Sequence, residues 1–403
     1  MTDAARPISV PAQSNFISVA LCFAVSMLEG FDIQAIGVAA PKLAPELHLA
    51  ASQMGWVFFA SNLALVFGAS CGGWLADKIG RKPIFVLSVA AFGAATFATA
   101  YAGTYYPLMA ARALAGFGFG AALPNMMAVA ADISRPERRA STATMMFCGM
   151  PLGGGLCAAL TQTLPAGYDW RILFFVGGIL PVVLAPALLL FMRETAARAQ
   201  TGAERVDVLR ALFGERRAPP TLLLWLAFFP TLLILYLILY WLPTLVVDKG
   251  LPRALAPQAS MAFNFASVVG ALILGWIVDR VGPRWPLTLA YAALIGALIY
   301  LARANGLPLI VALSAAAGFT LMGANYALYG VAAAYYPRAL RGTGSGASIA
   351  IGRVGAIIGP LLPGLLLTTG ASADEIIKLM APAAGTAAVA VFLLGSFKPH
   401  TQD

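Results

Sequence analysis

A charged turn, Gly73-Trp74-Leu75-Ala76-Asp77-Lys78-Ile79-Gly80-Arg81-Lys82, lies between two long apolar runs. It returns 202 residues later as Gly275-Trp276-Ile277-Val278-Asp279-Arg280-Val281-Gly282-Pro283-Arg284. Glycines, tryptophan, aspartate and basic residues recur in register, with Pro283 standing where the first copy has Arg81. A spacing of half the chain marks an internal duplication, so the fold must be built from two like units. Glycine permits the sharp turn, and basic residues between apolar runs mark loops on the cytoplasmic side of a membrane.

Composition supports the membrane reading. Of 403 residues, 60% are hydrophobic and 11% charged, too apolar for an ordinary soluble domain. Apolar runs of ~20 residues or more recur along the chain, the length that crosses a ~30 Å hydrocarbon core. The sequence predicts an all-α integral membrane protein of twelve spans in two pseudo-symmetric six-helix bundles. Residues 1–15 form a tail, 16–192 and 220–397 the bundles, 193–219 a linker and 398–403 a second tail.

The net charge of +9 could serve nucleic acid or a membrane surface, and its distribution decides against nucleic acid. Eighteen Lys and Arg fall on loops of one parity and six on the other. That bias predicts a multi-pass inner-membrane protein with both termini and the linker in the cytoplasm. Cys22, Cys71, Cys148 and Cys157 lie in apolar helices and read as packing residues, with neither a disulfide nor a zinc framework. No cleavable signal peptide is expected, because the first apolar run is too long and carries two acids.

Those acids, Glu29 and Asp32 in span 1 (Phe16 to Ala40), are the two acids expected at mid-membrane. A charge there costs at least ~2.5–3.5 kcal/mol, so it faces a cavity or a partner. Three residues apart, they share roughly one helix face. A functional pair and a structural ion pair or cap at Gly30 are the two readings. Span 4 (Tyr105 to Ala131) carries Arg112, a permanent cation for which Asp32 is the resident anion; Gly116, Gly118 and Gly120 follow and allow close helix packing. These glycines have no βαβ context and do not indicate a dinucleotide fold. The loop Asp132 to Arg139 is expected to join the charged turn, and Asp77 to cap a helix N-terminus while pairing with Arg or Lys. Span 5 holds Gly149-Met150-Pro151-Leu152-Gly153-Gly154-Gly155.

Within the linker a short interfacial helix is expected near Val206 to Phe213. Span 7 (Thr221 to Val247) places Tyr236 and Tyr240 one turn apart on one face, with Trp241 beside them; such an aromatic wall suits a flat, polar-edged ligand. Asn264 in span 8 and Asn325, Tyr326 and Tyr329 in span 10 add polar groups at depth. Arg353 in span 11 has no membrane-centre acid in its own half, so its partner is an acid across the interface or a ligand anion.

Gly-x-x-x-Asp-[Arg/Lys]-x-Gly-Arg-[Arg/Lys] at Gly73 to Lys82 resembles the loop signature of the major facilitator superfamily, and the glycines after Arg112 resemble its span-4 motif. Glu29-Gly30-Phe31-Asp32, Arg112 and the stretch from Tyr335 through Arg353 to Pro360 look like the aromatic acid:proton symporter family. Glu29, Gln34 and Cys148-Gly149-Met150-Pro151 lean toward its carriers of hydroxyphenylpropionates. The span-5 glycines loosely resemble the antiporter motif of the superfamily. The resemblance implies proton coupling by Glu29, Asp32 and Arg112, with the substrate carboxylate on Arg353. The expected substrate site comprises Arg353, Arg112, Asp32, Gln34, Tyr236, Tyr240, Asn264, Asn325 and Tyr326. Gly73, Asp77, Lys78, Gly80, Arg81, Asp279 and Arg280 form the expected conformational latch.

Arginine suits carboxylates through its planar fork. Desolvation favours a neutral carboxyl and a neighbouring arginine an ionised one, so ligand binding can switch protonation. These are the parts of an anion–proton symporter working by alternating access, with a small aromatic carboxylate and a proton as its partners. It is expected to be a monomer in the bilayer, needing no metal, cofactor or nucleic acid. The alternative within the fold is a proton-driven drug antiporter. A channel, a sensor of aromatic acids and a membrane enzyme rank below; no metal site or nucleophile triad is visible, and His48 and His400 lie outside the core.

Overall fold

The computed structural model describes residues 12–133, 145–165, 167–192, 208–337 and 340–399. Their helices are α1 (Ala12–Glu46), α2 (Ala51–Ile79), α3 (Arg81–Thr99), α4 (Tyr105–Ile133), α5 (Gly149–Thr163), α6 (Arg171–Phe191) and the short α7 (Val208–Phe213). The second half contributes α8 (Ala218–Asp248), α9 (Pro257–Val281), α10 (Arg284–Arg303), α11 (Leu307–Ala334), α12 (Arg341–Ile358), α13 (Leu361–Thr368) and α14 (Ala373–Leu394). Ten helical spans among the described residues are long and apolar enough to cross a membrane. Helix α12 and α13 form one such span, interrupted at Gly359-Pro360, where Trp241 donates to the Pro360 carbonyl at 2.7 Å. Helices α4 and α5 pack among these spans, as expected for twelve passes. The short linker helix forms as the sequence predicts.

The duplication is written into the backbone contacts. A Cβ on Gly68 would lie 2.1 Å from the Phe117 carbonyl oxygen, and one on Gly270 would lie 2.0 Å from that of Phe319. A Cβ on Gly116 would lie 2.1 Å from the Ser61 carbonyl oxygen, and one on Gly318 would lie 2.1 Å from that of Phe263. Gly153 sits on the Met27 carbonyl and Gly355 on that of Phe229. Every glycine and every partner is displaced by the same 202 residues that separate the charged turns. The pairs α2–α4 and α9–α11 are thus equivalent, as are α1–α5 and α8–α12. Lipid gives helices no hydrophobic reason to associate, so close van der Waals approach at small residues holds them together. The two turns repeat as well: Gly80 (φ 106°) and Gly282 (φ 82°) each separate two helices in a conformation that favours glycine.

The two halves meet most closely toward the end of the bundle where α1 finishes and α2 begins. Gly37 packs on the carbonyls of Leu239 and Tyr240, and Gly55 on Leu361 and Gly364. Gln258 donates to Gln162 at 3.0 Å, and the Ser52 amide donates to the Thr368 hydroxyl at 3.2 Å. At the same end Lys42 stacks 3.3 Å from the Tyr168 ring centroid and donates to the Tyr168 carbonyl. Burial pushes the Tyr168 phenol up to about 12, so it stays protonated at neutral pH.

Alanine at Gly68 or Gly270 should destabilise the bundle by about 1–3 kcal/mol, the usual cost of overpacking. Alanine at Gly296, which faces open space, should leave stability unchanged or slightly raised. Thermal unfolding in detergent measures both.

Candidate functional site

Glu29 is the midpoint of α1, and Gly30 beside it is one of two equally close contacts of that helix, with the Gly153–Met27 contact. A Cβ there would lie 1.7 Å from the Met150 carbonyl oxygen on α5. With Gly149 and Gly153 also pressed on α1, α5 fixes the rotation of α1 and so the direction of both acids.

Asp32 is fully engaged. Arg112 from α4 donates to Oδ1 at 2.8 Å and to Oδ2 at 2.5 Å, and the Thr96 hydroxyl from α3 donates to Oδ1 at 2.7 Å. Arg112 is 1% exposed and its guanidinium also faces the Phe174 ring. The two-pronged geometry is the strong form of this pairing. Glu29 differs: it is 2% exposed, yet its Oε2 has no hydrogen-bond partner. It shares with Asp32, Ser61, Asn62 and Tyr240 a cavity of about 10 Å³, room for roughly one water molecule.

Arg353, on α12, faces these acids from the other half. It is half-buried, and its Nη1 donates to the Tyr236 hydroxyl at 3.0 Å. It lies within electrostatic reach of Glu29, Tyr236 and Tyr329, but makes no salt bridge with Glu29. Tyr236 and Tyr240 are neighbours with ring centroids 6.4 Å apart. Tyr326 donates to the Phe147 carbonyl across the interface at 2.9 Å, and the buried Asn325 Oδ1 is without a partner.

Other expected ligand groups are occupied by contacts between the halves. Asn264 donates to the Ser260 carbonyl and to Gln34 Oε1, both at 2.8 Å, and Gln34 in turn donates to the Leu239 carbonyl at 3.3 Å. Its counterpart 202 residues earlier, Asn62, donates to the Phe58 carbonyl at 2.9 Å and to the Tyr240 hydroxyl at 3.2 Å. Each asparagine therefore holds its own helix four residues back and reaches the first helix of the opposite half. Phe58 stacks on Tyr240 at 4.6 Å. Gln34, Tyr240 and Asn264 are struts of the closed end in this conformation. Asn62 and Thr96 are partners that sequence reading passed over; each is a polar residue inside an apolar helix, which is the signal that marks them.

The expected latch residues lie on and beside the two charged turns. Asp77 and Asp279 are exposed, and Gly73 lies in loose contact with Pro124. Lys78 stacks on Trp74 at 3.8 Å and Arg280 on Trp276 at 4.0 Å, again in register. Gly80 turns the chain, and Arg81 begins α3. Most of the loop from Asp132 to Arg139 lies outside the described residues. Cys22, Cys148 and Cys157 are buried, whereas Cys71 is exposed on the outer face of α2, and all four are free. Among the described residues no cluster of His, Cys, Asp and Glu could hold a metal ion.

A family model, the Major Facilitator Superfamily, matches residues 22–360 and 254–403. The chain belongs to the major facilitator superfamily. Membership places it among transporters rather than enzymes. It is 37% identical over 397 residues to a 3-(3-hydroxy-phenyl)propionate transporter of Escherichia coli, covering 98% of each chain. A gallate transporter of Pseudomonas putida is 34% identical, with 97% of this chain and 93% of that one covered. A 4-hydroxybenzoate transporter of Pseudomonas aeruginosa is 33% identical, with 97% and 94% covered. Among solved structures, a D-xylose-proton symporter superposes with a TM-score of 0.77 at 15% identity, over 96% of this chain and 98% of that one. That likeness shows the shared superfamily fold.

Removing the Asp32 carboxylate strands a buried cation, so Asp32→Ala should lose about 3–5 kcal/mol. Replacing both partners with apolar residues, Asp32→Leu with Arg112→Met, should recover most of the loss in thermal unfolding. For the struts, a disulfide between Ser52→Cys and Thr368→Cys reports closure of the end they share. Its yield should fall when Asn62→Ala and Asn264→Ala are added.

Proposed function

We propose that this chain imports small aromatic carboxylates together with protons, by alternating access between two units, 16–192 and 220–397. The observation that carries the reading is Arg353: a half-buried guanidinium at mid-depth, anchored on one side by Tyr236 and facing the opposite half without a salt bridge. A planar fork held in this way suits a carboxylate, and Tyr236, Tyr326 and Tyr329 supply flat walls with hydroxyls. The relatives named for hydroxyphenylpropionate, gallate and hydroxybenzoate all carry substrates of this description.

The other half supplies the coupling groups, Glu29, Asp32 and Arg112. Importing a monoanion against a negative-inside potential costs ~2.3 kcal/mol per 100 mV, and one accompanying proton cancels that charge. The basic loops put both termini and the linker in the cytoplasm. The closed end is then external, and the state described here faces inward. When the site opens outward, the asparagine struts separate and the charged turns come together as a latch. The protein acts as a monomer in the bacterial inner membrane.

Proteoliposomes under an inward proton gradient should accumulate at least one of 3-(3-hydroxyphenyl)propionate, gallate and 4-hydroxybenzoate, saturably and until a protonophore is added. Arg353→Ala should weaken binding of the accepted acid by about 2–5 kcal/mol, on the order of 30-fold or more. Unchanged affinity in that variant removes Arg353 from the carboxylate. Efflux of cationic drugs with no acid uptake would instead identify a proton-driven antiporter.

A further inference from the structure

Residues 145–147 are helical, Cys148 interrupts, and α5 starts at Gly149. Pro151 falls in its first turn, and a proline has no N–H to give the carbonyl four residues earlier. That carbonyl belongs to Phe147. A carbonyl freed inside a membrane bundle has to be satisfied by a neighbouring helix. Its donor comes from the other half of the molecule, the Tyr326 hydroxyl on α11 at 2.9 Å. The arrangement recurs at Pro243 of α8, which frees the Leu239 carbonyl for Gln34 of α1 at 3.3 Å.

Tyr326 lies within electrostatic reach of Glu29, Tyr236 and Tyr329, and Arg353 within reach of the same three groups. The phenol–carbonyl contact and the guanidinium therefore border one space. They also stand at matched places, since Arg353 is displaced from Pro151 by the 202 residues of the duplication. At that position one half offers a fork of donors, and the other frees an acceptor. The Tyr326 contact joins the two halves, so a motion of one against the other breaks it. The carbonyl then needs a second donor, and the group already seated on it is a phenol.

Resting on the transport reading above, with the carboxylate on Arg353, we propose that the Phe147 carbonyl reads the ring hydroxyl of the substrate. The substrate phenol donates to it in place of Tyr326, whose hydroxyl covers the acceptor while the site is empty. Pro151 is the positioning residue, because an N–H there would engage the carbonyl within its own helix. The acid is thus read at two points, its carboxylate by donors on α12 and its hydroxyl by an acceptor beside α5. An unpaired acceptor would reject an acid without a hydroxyl severely. Tyr326 returns to the carbonyl in that case, so such an acid is disfavoured and still admitted.

The test is equilibrium binding of 3-(3-hydroxyphenyl)propionate and 4-hydroxybenzoate to purified protein, each beside its deoxy and methoxy counterparts. Wild type should prefer the hydroxylated acid by about 2–10-fold, the span of one hydrogen bond. The methoxy acid keeps the oxygen without the donor and should gain nothing over the deoxy acid. Tyr326→Phe keeps the ring and bares the carbonyl, so the preference should rise by about tenfold. Pro151→Ala restores the N–H and should erase most of the preference. A preference that falls in Tyr326→Phe makes Tyr326 itself the reader of the hydroxyl and overturns the proposal.

The carbonyl can also be watched directly. Phe147-Cys148 is the only Phe-Cys pair in the sequence. Carbon-13 in phenylalanine carbonyls with nitrogen-15 in cysteine therefore singles it out by magnetic resonance. Its signal should move on adding the hydroxylated acid and stay in place with the deoxy acid. In Tyr326→Phe the move should be larger, since a bare carbonyl gains its bond. A hydroxyl preference with an unmoved signal puts the hydroxyl elsewhere and overturns the proposal, as does equal affinity for hydroxylated and deoxy acids. Failure of wild type to bind any of these acids is a separate result: it removes the transport reading and the proposal with it.

Discussion

Helices in this bundle approach until the carbonyl of one occupies the space where a side chain would begin on the next. That contact, made by glycine, sets every other distance in the molecule. Between apolar helices in lipid little else favours association, and a bundle built this way is rigid along each glycine seam. The site inherits its precision from one seam in particular. Glu29 and Asp32 flank Gly30, and Gly30 lies directly on the Met150 carbonyl, so α5 decides where two costly carboxyls point.

Scaffold and chemistry obey different symmetries. The glycine seams, the charged turns with their stacked tryptophans and the two reaching asparagines all repeat at one offset. The charges do not. The equivalents of Glu29 and Asp32 are Thr231 and Ile234, that of Arg112 is Ser314, and that of Arg353 is Pro151. A symmetric frame gives the two halves equivalent ways to lean on each other. The asymmetric charges give the space between them a direction, with acids on one wall and an unspent cation on the other.

Much of this was legible in the sequence. The turn repeat, the apolar runs and two arginines in otherwise apolar helices specify the fold class, the duplication and the Asp32–Arg112 pair, because each is a local violation of what lipid tolerates. Arg353 was legible as a cation lacking a local acid. The roles of Gln34, Tyr240 and Asn264 were not, since they depend on which side chains of the opposite half lie across the interface. That is a property of conformation, and periodicity carries no information about it. Asp77 shows the same limit: its residue type suits a latch, while its exposure depends on how the two halves approach one another at that end.

The single offset also says something about history. From Met27 to Gly153 and from Phe229 to Gly355 the chain runs through four turns between helices, and the net length is unchanged. Loops are where chains ordinarily gain and lose residues. The connection between α8 and α9 is longer than that between α1 and α2 only because α9 begins later: from Glu46 to Ser61 and from Asp248 to Phe263 the spacing is the same. Since the two copies parted, the charged residues between them have diverged while the spacing of the shared seams has stayed in step.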